Sequence, residues 1–144
     1  MLRLIMMLSL FLITPSGANA GEQPEATLYK RPFCGCCDGH VEHLRANGYK
    51  VTIVQTENLS LIKKKHGVPQ EFEGCHTIEI GGYVVEGHVP ASIIGKLLKE
   101  RPDIRGISLP GMPQGSPGMS GEKSGPFEIH QFTADGRSKI YAVE

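Results

Sequence analysis

The 144-residue sequence lacks an excess of either charge: 15 Lys and Arg stand against 15 Asp and Glu. That balance gives no reason to expect a nucleic acid or a membrane surface as partner. Tryptophan is absent, and aromatic residues make up 6% of the chain. There is no internal repeat, so a solenoid or array is excluded. There is also no apolar run long enough to cross a bilayer core, which takes about 20 residues.

The longest apolar run, residues 4–13, is interrupted only by Ser9. It follows Arg3, is broken by Pro15-Ser16-Gly17 and precedes Ala18-Asn19-Ala20. Charge, apolar core, breaker and small-x-small make a secretory signal peptide, with cleavage expected after Ala20. The expected mature chain, residues 21–144, has 124 residues. Loss of Arg3 leaves 14 basic against 15 acidic side chains, a net charge of −1. The expected location is the periplasm of a Gram-negative cell, with no membrane span after cleavage. A chain of this size fits one domain with its own core.

What is present in excess is 18 Gly, 10 Pro and 4 Cys. Residues 27–30 read as a strand. Arg31-Pro32-Phe33 is a turn into Cys34-Gly35-Cys36-Cys37, and a helical pattern then runs to Asn47 with Gly48 as its stop. Residues 50–56 read as a strand. Asn58 caps a helix containing Leu59, Ile62 and His66 that Gly67 and Pro69 close. Residues 75–80 and 83–86 flank Gly81-Gly82 as a hairpin. Pro90 opens a helix striped by Ile93, Ile94, Leu97 and Leu98. The order β, α, β, α, β, β, α predicts an α/β sheet with helices packed on it. Residues 106–125 hold six Gly, three Pro and two Met with no strand or helix period, which reads as a functional or disordered loop. Residues 127–132 and 138–143 around Ala134-Asp135-Gly136-Arg137 read as a terminal hairpin that tethers the loop's far end.

The four Cys survive signal removal, and in an oxidising compartment an even count suggests disulfides. Three of them, however, fall within one turn directly before a helix, where free N–H groups stabilise thiolates. Cys34 and Cys37 have the spacing of a dithiol redox pair. The additional Cys36 exceeds what a dithiol needs and suits a soft ion such as Cu(I). Cys75, at the start of a strand, is expected to reach the same site. His76 is expected on the opposite face, because strand side chains alternate. Cys36, His40 and His43 share a helical face. His40 and His43 are expected to be exposed helix histidines rather than ligands. Met112 and Met119 sit among Gly and Pro, where a thioether either anchors the loop or serves as a soft copper ligand. His88 is a ligand, a cap partner or a surface residue. His66 and His130 have no clustering argument.

Four stretches carry a resemblance: Cys34-Gly35-Cys36-Cys37, Cys75-His76-Thr77, Gly82-Tyr83-Val84-Val85-Glu86-Gly87-His88-Val89-Pro90, and residues 111–119. Together they span most of residues 27–120. The chain resembles the CopG-type family of exported bacterial copper-resistance proteins, formerly a domain of unknown function and unrelated to the plasmid repressors of that name. The resemblance implies a thioredoxin-like domain over residues 21–105 with a C-terminal extension over residues 106–144 packed on it. It also implies copper held near the C-x-C-C motif and cycled between Cu(I) and Cu(II). Val68-Pro69 resembles the glutaredoxin-type arrangement in which a cis proline lies opposite the cysteines. The expected ligands are Cys34, Cys36, Cys37 and Cys75, with Met112 or Met119 closing the site. More than one copper is expected, since bridging thiolates let few sulfurs serve several ions. The protein is expected to be a monomer whose partners are copper ions and a copper efflux system or periplasmic carrier. A thiol–disulfide oxidoreductase using Cys34 and Cys37, and a non-catalytic copper chaperone or buffer, are the alternatives.

Overall fold

The computed structural model describes residues 24–144. The proposed signal peptide and its cleavage site lie outside the described residues. The chain runs β1 (Ala26–Lys30), α1 (Gly35–Ala46), β2 (Val51–Gln55), α2 (Leu59–Lys65), a 3-10 turn (Gln70–Phe72), β3 (His76–Ile80), β4 (Tyr83–Gly87), α3 (Ala91–Glu100), β5 (Gly106–Leu109), β6 (Glu128–Phe132) and β7 (Ser138–Val143). The fold is mixed α/β, as the sequence pattern implied.

The strands form one seven-stranded sheet in the order β2-β1-β3-β4-β5-β6-β7. The β1–β2 and β4–β5 pairs are parallel, and the rest are antiparallel. Helices α1 and α3 cover one face. Val41 and Leu44 of α1 and Ile94 and Leu97 of α3 meet Leu28, Ile78, Val85 and Ile107 of the sheet. The other face holds a smaller cluster of Val68, Phe72, Val84 and Phe132. Val84 and Val85 thus go to opposite faces, as strand alternation requires. Gly81 and Gly82 make the β3–β4 turn with φ of 56° and 88°, a conformation that glycine adopts without steric cost.

One expectation is corrected. Residues 106–109 are not the start of a structureless loop: β5 lies inside the sheet, parallel to β4 and buried at all four positions. Ile107-Ser108-Leu109 does alternate, but so short a stretch running into a Gly- and Pro-rich segment does not mark a strand. A smaller correction concerns Asn58. It stands at the N-cap position of α2, but its side chain makes no capping hydrogen bond; its own N–H donates instead to Thr56 Oγ1 at 3.0 Å.

Candidate metal centre

The sheet register assembles the cysteines. Lys30, the last residue of β1, pairs with His76, the first of β3. Cys75, one residue earlier, therefore lies beside the turn that carries the chain from β1 into α1. Cys34 occupies the N-cap position of that helix, and Cys36 and Cys37 lie in its first turn. Phe33, immediately before, has a left-handed φ of 60° and projects fully into solvent. All four sulfurs lie within 4.8 Å of one another. Cys34 and Cys37 are joined as a disulfide, while Cys36 and Cys75 are free. The Cys75 sulfur is 3.5 Å from that of Cys37 and 3.8 Å from that of Cys36. Burial first, and then the Cys36 sulfur, push the Cys75 thiol up to about 12, so without metal it stays protonated at neutral pH. No peptide bond among the described residues is cis. Pro69 stands at the start of the 3-10 turn, and Cys75 is the residue that faces the cysteine motif.

The histidines overturn two expectations. His40, expected on an exposed helix face, is completely buried, and His43 is half-buried. Strand alternation alone turns His76 away from the cysteines. It does share the α1 face of the sheet with Ile78 and Ile80, but that face is where His40 waits. His40 Nδ1 and His76 Nε2 are 2.8 Å apart, and the other His76 nitrogen, Nδ1, is 3.3 Å from the Cys75 sulfur. Cys75 precedes the strand, so the alternation rule does not govern it. His88 is also buried, with Nε2 at 3.0 Å from the Cys75 sulfur and Nδ1 at 2.6 Å from the carbonyl of Pro117. Cys75, His76 and His88 therefore form a second group with metal-binding geometry that shares Cys75 with the four-sulfur group. The i, i+4, i+7 spacing of Cys36, His40 and His43 was the available signal. What it lacked was the register of β1 against β3.

Burial lowers the affinity of these imidazoles for a proton. His40 falls to about 3, chiefly by desolvation, and desolvation also lowers His76 and His88. All three are neutral at pH 7, which leaves each ring with one lone pair free to accept a hydrogen bond or bind a metal.

Two further elements brace the site. On the α2 side, Lys63 Nζ lies 2.6 Å from Glu86 Oε2 and 3.1 Å from Thr77 Oγ1. The same Glu86 oxygen accepts the Gly74 N–H at 2.9 Å, which anchors the backbone just before Cys75. On the α1 side, the loop after β5 rests backbone to backbone on the cysteine helix. A Cβ added to Gly118 would lie 2.4 Å from His40 N and 2.5 Å from Cys36 O, and one added to Gly39 would lie 2.9 Å from Gly118 Cα. Only glycines permit this approach. Met119 follows Gly118 directly and is half-buried, and Met112, also half-buried, has a left-handed φ of 46°. The loop is thus folded back on α1, with its Pro117 carbonyl held by His88.

A family model described as "Protein of unknown function, DUF411" matches residues 72–119, the stretch from the 3-10 turn through Cys75 and His88 to Met119. No curated protein matches. Two solved structures, both titled copper resistance protein CopG, do. Form 2 is 40% identical, covers 85% of this chain and 99% of its own, and superposes with a TM-score of 0.79. Form 1 is also 40% identical, covers 85% and 98%, and has a TM-score of 0.78. Identity of that degree over 85% of this chain and nearly the whole of its relatives, together with a cysteine cluster able to hold metal, places this protein in the CopG family of copper resistance proteins.

Proposed function

We propose that the protein is a periplasmic copper protein that interconverts Cu(I) and Cu(II) at a cysteine-ligated, multinuclear site. The observation that carries this reading is the convergence of four sulfurs within 4.8 Å, adjoined by two buried imidazoles. Thiolate and neutral imidazole are the donors copper favours over the hard cations. Cys34, Cys36, Cys37 and Cys75 are the principal ligands, with His76 and His88 on the Cys75 side and Met112 or Met119 from the loop. Four thiolates shared between ions let one small site hold more than one copper. The thioredoxin-like reading of residues 21–105, with residues 106–144 as the extension, accords with the βαβαββα order that carries the site.

Copper here is substrate as well as cargo, and the cysteines can balance its electrons. Oxidation of the Cys34 and Cys37 thiolates to their disulfide releases two electrons, enough to reduce two Cu(II) to two Cu(I). Opening the disulfide takes two electrons back, so two Cu(I) can leave as two Cu(II) while both thiolates return to the site. Cys36 and Cys75 remain ligands throughout. A copper efflux system or periplasmic carrier would receive the metal from a monomer.

The Cys34–Cys37 disulfide favours a second reading, a thiol–disulfide oxidoreductase. Anaerobic metal loading with thiols counted before and after chelation separates the two. The copper reading expects Cu(I) uptake in preference to Zn(II), the loss of free thiols on loading and their return on chelation. A protein that takes up no copper but reduces disulfide substrates overturns it.

A further inference from the structure

The cysteine cluster is closed on one flank and open on the other. Cys37, His76 and His88 are buried, and the backbone at Gly118 lies against the Cys36 carbonyl. On the α2 side, a groove of about 370 Å³ reaches the half-buried Cys34 and Cys75. Arg31, Ser60, Lys63 and Glu73 also line it. Lys63 is held by Glu86 and Thr77. Glu73 is different. It is exposed, and among the described residues no hydrogen bond or ion pair engages its side chain. Its backbone is extended, with φ of −64° and ψ of 128°, and side chains two apart along an extended chain share a side. Glu73 and Cys75 accordingly line the same groove, one on each side of Gly74, whose N–H is fixed by Glu86. The Glu73 carboxylate stands outside the two groups whose donor atoms lie within 4.8 Å of one another. Being unpaired, it can swing inward at no cost in broken contacts.

An exposed, unpaired glutamate is ordinarily a solvated charge. The redox step gives this one a chemical setting. When two Cu(I) each pass one electron to the Cys34–Cys37 disulfide, the S–S bond breaks, both sulfurs become thiolates and two Cu(II) are formed. Thiolates suit Cu(I), whereas Cu(II) favours nitrogen and oxygen donors in a tetragonal set. Cu(II) left among thiolates alone is open to reduction by the reverse step. The buried flank of Cys75 supplies nitrogens, from His76 and His88. The open flank carries one free carboxylate, Glu73. We propose that Glu73 is a further copper donor, specific to the oxidised state: its carboxylate turns into the groove and binds Cu(II) beside Cys75, and it takes no part in holding Cu(I). This rests on the copper reading above. Arg31, which also lines the groove and is likewise unpaired among the described residues, opposes a bare cation there, so the groove needs an anionic donor to hold one.

The test compares Glu73→Gln with Glu71→Gln, an exposed carboxylate two residues earlier that does not line the groove. Both changes are at exposed positions and should melt like the parent. Anaerobic competition gives the Cu(I) affinity, a redox titration gives the Cu(II)/Cu(I) potential, and electron paramagnetic resonance of the oxidised protein reports the Cu(II) donors. E73Q is expected to keep the parent's Cu(I) affinity and to lose Cu(II) affinity by roughly tenfold or more, the least that a supporting residue of a metal site is worth. Each tenfold loss raises the potential by about 59 mV, and the copper hyperfine pattern should shift with it. E71Q should match the parent in all three. A second probe is Co(II), a divalent ion that thiolates do not reduce, added to the fully reduced protein. E73Q should bind it more weakly and with altered visible bands. An unchanged potential and an unchanged Co(II) spectrum in E73Q overturn the inference and leave Glu73 as a solvated charge. Equal losses of Cu(I) and Cu(II) affinity, or equal effects of E71Q and E73Q, also overturn it, because a distant charge acts on both ions and from either position. A parent that binds no Cu(I) counts against the proposed function instead, and the Co(II) comparison still decides whether Glu73 is a donor.

Discussion

Cys36 is the residue that separates a copper site from a dithiol, because the C-x-x-C pair functions without it. Replacing Cys36 by Ser is expected to lower Cu(I) uptake sharply while circular dichroism and melting stay near the parent, since its half-exposed side chain supports little of the core. Unchanged copper stoichiometry would hand the extra thiol another purpose. Lys63 tests the bracing on the other side. Its ammonium is buried against the fully buried Glu86, which also accepts the Gly74 N–H. Lys63→Ala strands that carboxylate, at an expected cost of about 3–5 kcal/mol in chemical denaturation. A double replacement of Lys63 and Glu86 by Met should cost less in stability than Lys63→Ala alone, though it frees the backbone before Cys75. The sequence exposed the four cysteines because their chemistry is local. It concealed the burial of His40 and His88, because burial comes from partners 49 and 29 residues away, the carbonyls of Val89 and Pro117.

Among the elements, the helix pattern of α1 and the Gly81-Gly82 hairpin were readable because both rest on residues within one turn of each other. Strand β5 was not, because its alternation is only four residues long and runs straight into a Gly- and Pro-rich segment. The loop after β5 stands out by its Gly, Pro and Met composition, but its seat on α1 depends on a contact between Gly39 and Gly118 that no local pattern announces. Gly118→Val is expected to lift the loop, since the added side chain meets His40 N and Cys36 O and the backbone has φ of 84°. The expected cost is about 1–3 kcal/mol, with weaker copper retention at unchanged sheet content by circular dichroism. The methionines are tested more gently. Replacing Met112 and Met119 by Leu keeps most of the apolar volume and removes the sulfur. Altered copper affinity or redox spectrum would assign the thioethers to the site. No change in the double variant would leave them as packing alone.

At the scale of the whole molecule, the buried imidazoles make the metal-free protein sensitive to acid. His40 binds its proton at about 3 in the folded chain, and His43, His66, His76 and His88 are lowered too, each chiefly by burial. The unfolded chain takes up those protons near 6.5. Below that value the unfolded state binds more protons than the native state, so stability is full above about pH 6.5 and is lost as pH falls toward 3. Denaturant midpoints of the metal-free protein measured between pH 7 and 4 should decline steadily. A flat profile would mean that these rings are solvated. Export is checked separately: intact mass of periplasmic material should begin at Gly21, and a retained Met1 would defeat that expectation.

The loop that carries Met112, Pro117 and Met119 leaves the sheet at β5 and returns at β6, and those two strands pair directly, Ser108 against His130. Its two ends are therefore pinned as neighbours, so it can swing clear of α1 without any strand having to part from another. Such an excursion would be a local opening, which costs less than global unfolding. Each opening would release His88 from the Pro117 carbonyl and uncover the cysteine helix together. The residence time of copper would then be set by the loop's opening frequency and not by ligand strength alone. Hydrogen exchange should show this as rapid, copper-sensitive labelling across residues 110–126 between two slowly exchanging strands.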